Sequence, residues 1–206
     1  MIKDWRQQLQ SAVSPLSDGV AALHVNNFRP RDEVPIRPGR TAAVLVPVLD
    51  LEIPEILFTR RAMHLTQHPG QASFPGGAAE EFDDSAVSTA LREAEEEVGI
   101  NPGSVTPLGF LDRFDSISDY RVLPVVGLVK APHEWKIDKK EVAEVFTIPL
   151  EVVLDRNRYI ERSVSGGDRD FILHSIEWEG HEVWGLTAAM LINLSNRMNG
   201  RSIHDR

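Results

Sequence analysis

The chain has 206 residues, 42% hydrophobic and 26% charged, a composition that suits one soluble globular domain with decorations. Its net charge of -9 disfavours binding nucleic acid through the phosphates, which needs a basic face, but leaves room for an anionic small molecule bridged by metal cations. It has no cysteine, which excludes disulfides, cysteine-bound zinc and thiol catalysis, and no apolar run near the ~20 residues of a membrane span. The opening MIKDWRQQLQ lacks the apolar centre of a signal peptide, so the expected location is the cytoplasm.

Ile2, Trp5, Leu9, Val13 and Leu16 recur at helical spacing, and the pattern predicts a helix over 2–23 broken near Ser14-Pro15. Residues 26–40, NNFRPRDEVPIRPGR, read as an extended connector rich in proline and arginine. TAAVLVPVL (41–49) is almost continuously apolar and predicts a buried central strand, with a second strand in EILFTRR (55–61). Strands follow in SVTPLGFLD (104–112), YRVLPVVGLV (120–129) and EVAEVFTIPL (141–150), the last leading into a short helix. RDFILHSIEWEGHEVWG (169–185) reads as a hairpin turning at Glu179-Gly180, and Thr187 to Asn199 as a final helix ending at Gly200. Strands on both sides of one central helix predict a mixed sheet covered by helices on its two faces.

That central helix lies in FPGGAAEEFDDSAVSTALREAEEEVGI (74–100). Asp83 and Asp84 are expected at its start, where free N–H groups favour carboxylates, and Gly99 at its end. At ~100° per residue, Val87, Ala90, Leu91, Ala94 and Val98 form an apolar stripe for packing on a sheet. Glu93 and Glu97 lie one turn apart on another flank with Glu96 beside them, while Glu95 points elsewhere. Like charges at this spacing destabilise a helix by roughly 0.2–0.5 kcal/mol a pair. Arg92, four before Glu96, offsets part of that, and a hard divalent cation would offset more. A solvated, glutamate-rich surface helix is the plain alternative, but it explains neither the clustering nor the Pro-Gly-Gly entry.

The stretch resembles the Nudix box: Gly, five residues, Glu, seven residues, then Arg-Glu-apolar-x-Glu-Glu-x-Gly-apolar. Arg92, Glu93, Ala94, Glu96, Glu97, Gly99 and Ile100 match its second half. Its first half departs, because counting from Gly77 places Asp83 at the acidic position and eight residues before Arg92. Upstream, LFTRRAMHLTQHPGQASFPGG (57–77) is similar to the signature of the Nudix subgroup that hydrolyses coenzyme A. Leu57, Thr59, Arg61, Ala62, Gly70, Phe74, Pro75, Gly76 and Gly77 fall in place, Phe58 replaces a leucine, and Thr66 stands where the subgroup has arginine. Thr66 cannot hold a phosphate bidentately as arginine does.

The resemblance implies an α+β fold, a Nudix-type α/β/α sandwich with a mixed β-sheet between helices. Residues 1–39 would form a helix and connector packed on a Nudix hydrolase domain at 40–206. It implies hydrolysis of coenzyme A or its derivatives to 3',5'-ADP and 4'-(acyl)phosphopantetheine with Mg²⁺ or Mn²⁺. Cleavage of another nucleoside diphosphate derivative, ADP-ribose or NADH, is the alternative, and a non-catalytic ligand sensor a third that three intact glutamates argue against. Glu93, Glu97, Glu96, the Gly76 carbonyl and Glu141 are the expected metal ligands, with Glu144 second to Glu141. Glu93 is the candidate general base, Glu96 acts beside it, and Arg92 orients the carboxylates. Arg60, Arg61, Gly77 and Gln71 are expected at the substrate, with Arg60 and Arg61 on opposite faces of their strand. No nucleic-acid or membrane partner is expected, and a homodimer would fit the family, with the 26–40 connector at its interface.

Overall fold

The computed structural model describes residues 4–18, 25–27, 40–116, 120–130, 134–165 and 170–200. Most of the 26–40 connector, and residues 117–119, therefore lie outside the described residues. The opening helix is α1 (Trp5–Ala12), shorter than its pattern. It stops where Ser14 makes an isolated bridge to Phe110, and a single 3-10 turn, Leu16–Asp18, follows. Strand β1 (Val25–Asn27) takes the first residues of the expected connector.

The centre of the fold is β2 (Arg40–Leu49), apolar enough to be buried on both faces. It pairs in parallel with β8 (Tyr120–Val129) from Arg40↔Tyr120 to Leu49↔Val129. Its other edge is shared by β3 (Glu55–Arg61) at one end and β5 (Gly76–Ala78) at the other, both antiparallel. Strand β4 (Ala72–Ser73) and β9 (Val142–Pro149) pair with β3, while β6 (Val105–Phe110) and β7 (Arg113–Asp115) pair with β8. The main sheet is thus mixed, as the spacing of the strands predicts.

One face carries α2 (Ala86–Val98), whose Ala90, Ala94 and Val98 pack on Ala43, Leu45, Leu57 and Val125. The other carries α1, α3 (Leu150–Leu154) and α4 (Gly185–Met198), which pack on Val46, Val48, Ile56 and Phe58. Alternate residues of β2 and β3 serve the two faces, the period-two rule of a pleated strand. The fold is an α+β sandwich, helices on both sides of a mixed sheet. A second, antiparallel sheet of β10 (Ile160–Ser165), β11 (Asp170–Trp178) and β12 (His181–Trp184) joins the α4 side through Ile176 and Val183. Glu179 (φ 48°) and Gly180 (φ 82°) form the expected β11–β12 turn, whose positive φ values match a type I' hairpin. The pairing of β10 with this hairpin is an addition to the expected strands. Among the described residues, no helix is long and apolar enough to cross a membrane.

Candidate active site

Ser85, not Asp83 or Asp84, caps α2. Its side chain accepts from the Ser88 N–H (3.1 Å), and its own N–H donates back to the Ser88 hydroxyl (2.8 Å). Asp83 is drawn away because the Arg92 guanidinium holds it with two hydrogen bonds, Nε to Oδ1 at 3.1 Å and Nη2 to Oδ2 at 3.0 Å. Arg92, with further bonds from Thr89 and the Glu80 N–H, keeps the Asp83 carboxyl well below the usual carboxylate range. Gly99 closes the helix in the left-handed conformation (φ 72°), as expected.

Arg92 is a hub for the acidic flank. It also donates to Glu93 (2.8 Å), Glu96 (3.2 Å) and the Ala78 carbonyl (3.1 Å), and so ties the helix to the strand that enters it. The carboxylates differ in depth. Glu96 and Glu95 are exposed, Glu93 is half-buried and Glu97 is buried. Burial raises the Glu93 pKa, with Arg92 opposing and the charges of Glu96 and Glu141 adding to the rise. Glu97 is pushed up to about 8, first by burial, then by the charges of Glu93 and Glu141, while Arg61 and a Gly76 backbone hydrogen bond act the other way.

The glycine turn is shaped around these groups. A Cβ on Gly77 would lie 2.5 Å from Cδ and 2.6 Å from each carboxylate oxygen of Glu93. One on Gly76 would lie 2.5 Å from the Ala43 carbonyl oxygen, so β5 approaches β2 more closely than a side chain permits. Leu45 donates to the Pro75 carbonyl and Ala79 to that of Thr41. By antiparallel alternation, the Gly76 peptide groups then face away from β2, and a Gly76 backbone hydrogen bond reaches Glu97.

These residues fit a hard divalent cation. Glu97 Oε2 is buried with no hydrogen-bond partner, the neighbouring donors are carboxylate and peptide oxygens, and the Glu93 carboxylate rests in the cradle that Gly77 leaves. Among the described residues, no three acidic or imidazole side chains already form a coordination cage. Arg92 draws Glu93 and Glu96 toward itself.

The two strand arginines diverge. Arg61 directs its charge at Glu97 and its Nε at the Gln67 carbonyl (3.3 Å). Arg60 points through the sheet to the α4 side, where Glu144, the Gly70 carbonyl (3.2 Å) and His181 Nδ1 (2.8 Å) occupy its guanidinium. The Gln71 side chain sits beside Gly185 at the start of α4. Glu141 precedes β9, its carbonyl bonded to the Ala62 N–H (2.8 Å) and its charge acting on both Glu93 and Glu97. The sequence gives no sign of His181 beside Arg60, since its partner lies 121 residues away. The Asp83–Arg92 pair is readable only once the competing Ser85 cap is recognised.

A sandwich that presents a buried glutamate, its helical neighbours and a glycine turn to one another defines a class of metal-assisted hydrolase. The comparisons place the chain within it. The family model described as the NUDIX domain matches residues 39–165. A Pectobacterium atrosepticum protein called an uncharacterized Nudix hydrolase NudL is 41% identical over 167 residues, 81% of this chain and 87% of its own. Its Escherichia coli namesake is 40% identical over 158 residues, 76% and 81% of the two chains. Among solved structures, a binary complex of a C. elegans Ap4A hydrolase aligns at a TM-score of 0.46 and 20% identity, over 53% of this chain and 80% of that one. The chain belongs to the Nudix family and is a Nudix hydrolase.

Proposed function

We propose that the protein hydrolyses the diphosphate bond of coenzyme A or an acyl derivative, releasing 3',5'-ADP and 4'-(acyl)phosphopantetheine. One observation carries this reading. The segment that resembles the coenzyme A signature, residues 57–77, runs from β3 through its loop into the glycine turn, and its Arg61 directs its charge at Glu97. Glu97, Glu93, Glu96, Glu141 and the Gly76 carbonyl would hold Mg²⁺ or Mn²⁺. When bound, the cation would neutralise charge developing on the diphosphate oxygens.

Arg92 holds Glu93 and Glu96 in place, and Glu93 accepts the proton of the attacking water. Arg61 binds a phosphate oxygen, and Gly77 lets the diphosphate approach the backbone. Arg60 and Gln71 lie on the far side of the strand and support the loop rather than the phosphates.

Thr66 favours a second reading, another nucleoside diphosphate derivative such as ADP-ribose or NADH. It is exposed on the β3–β4 loop, where the subgroup's arginine would be free to reach a ligand. Purified protein with Mg²⁺ or Mn²⁺ is incubated with coenzyme A, ADP-ribose and NADH in parallel, and the products are identified by mass spectrometry. Release of 3',5'-ADP well above turnover of the other two supports the first reading. Intact coenzyme A beside cleaved ADP-ribose or NADH supports the second, and Thr66→Arg is then expected to add coenzyme A turnover.

A further inference from the structure

Arg60 is held by three elements at once: Glu144 of β9, the Gly70 carbonyl at the end of the β3–β4 loop, and His181 of β12 in the second sheet. A guanidinium only donates, so His181 Nδ1 accepts from Arg60, and the same Nδ1 lies 3.5 Å from the Glu144 carboxylate that Arg60 also holds. The ring lies flat on Phe146, centroids 4.1 Å apart and planes 9° apart, which fixes the direction of that lone pair. The β3–β9 ladder slips at this point, pairing Arg60 with Glu144 but Arg61 with Val142. A bulge of this kind re-aims the side chain beside it. The backbone of Arg61 is clasped by the same loop, its N–H donating to Gln71 (3.0 Å) and its carbonyl accepting from Gly70 (3.1 Å). Arg60 therefore pins both the partner strand at the slip and the loop end that clasps its neighbour.

We propose that His181 is a positioning residue for Arg61, acting through Arg60 from the opposite side of the sheet. The second sheet thereby sets the geometry of a phosphate-binding side chain on the opposite face of β3. This rests on the reading of Arg61 as a substrate contact.

The test compares His181→Phe, which keeps the flat ring and removes the acceptor, with His181→Asn, which keeps an acceptor near Nδ1 and removes the ring. Steady-state kinetics use whichever of coenzyme A, ADP-ribose and NADH the wild-type protein cleaves. Mn²⁺ affinity is followed by electron paramagnetic resonance, with Arg61→Ala as reference, and Tm is measured for every variant. His181→Phe is expected to lose on the order of tenfold in kcat/KM at nearly unchanged Tm, the scale of a small misplacement near the reacting groups. His181→Asn is expected to recover most of it. Arg61→Ala removes a positive charge facing Glu97 and should tighten Mn²⁺ binding, and His181→Phe should move affinity in the same direction by a smaller factor. A His181→Phe protein equal to wild type in both readouts overturns the proposal. So does a loss shared equally by His181→Asn, or one that follows Tm, because the ring would then serve packing alone. If the wild-type protein cleaves none of the three substrates, the functional reading fails, and the Mn²⁺ titration still decides the positioning role.

Discussion

At Gly77 the obstacle to a side chain is the Glu93 carboxylate itself, 2.5 Å from where a Cβ would stand. Gly77→Ala should therefore leave the fold intact and displace Glu93, with a drop in activity and Mn²⁺ affinity on the order of 10- to 100-fold. Kinetics, metal titration and Tm on the same preparation check it. Glu97 behaves differently because its difficulty is charge. Its pKa is about 8 in the fold against an ordinary 4.5, so the folded chain binds the proton more tightly than the unfolded one. That stabilisation is complete below the unfolded value and is lost as pH rises through about 8. With chelator present, the wild-type Tm should fall across this window while that of Glu97→Gln stays flatter, so the variant becomes the more stable protein at alkaline pH. The same substitution is expected to abolish hydrolysis. Calorimetry over a pH series and a product assay check the two halves separately.

Within α2, stability and chemistry sit at different ends. The Ser85–Ser88 capping box serves the first turn, and the carboxylates occupy the last two. Ser85→Ala should cost about 1 kcal/mol in urea unfolding and leave kcat unchanged. The helix also shows what a sequence reveals and what it hides. Its apolar stripe and the pairing of Glu93 with Glu97 follow from the 3.6-residue period, and its glycine stop from the left-handed conformation of a helix end. Its start does not, because Asp83, Asp84 and Ser85 are all good caps and the choice falls to Arg92, which removes Asp83 by a bidentate pair. β2 and β8 are legible because they are apolar throughout. β10, IERSVS, alternates too weakly to be read as a strand before its partner is known. The same limit applies to His181. Helix periodicity brings Glu93 and Glu97 together, but only the folded pairing of two sheets brings His181 to Arg60.

On the scale of the whole chain, the α4-side core joins segments far apart in sequence. Trp5 and Leu9 of α1 are buried in the same core as Met190, Leu191 and Leu194 of α4. A buried polar network locks this joint. Arg197 donates to the Ala12 carbonyl (2.9 Å), the Ser14 hydroxyl (3.2 Å) and Asp112 (2.9 Å), and Asn193 donates to the same carboxylate at 2.6 Å. Asp112 is fully buried, and losing an ionic partner there leaves charge in a medium that solvates it poorly. Arg197→Leu should destabilise the protein by about 3–5 kcal/mol, measured by urea unfolding, although the residue is remote from Glu93 and Glu97.

The joint also orders events in time. A ribosome makes α1 some 180 residues before α4, so Trp5 and Leu9 emerge long before the surface that will cover them. During that interval the α1 segment lacks the apolar surface that buries Trp5 and Leu9. The nascent main sheet meanwhile lacks the cover of its α4 side. Completion of the core then waits on the closure of a very long loop, which makes docking of the two helices a late step of biosynthesis.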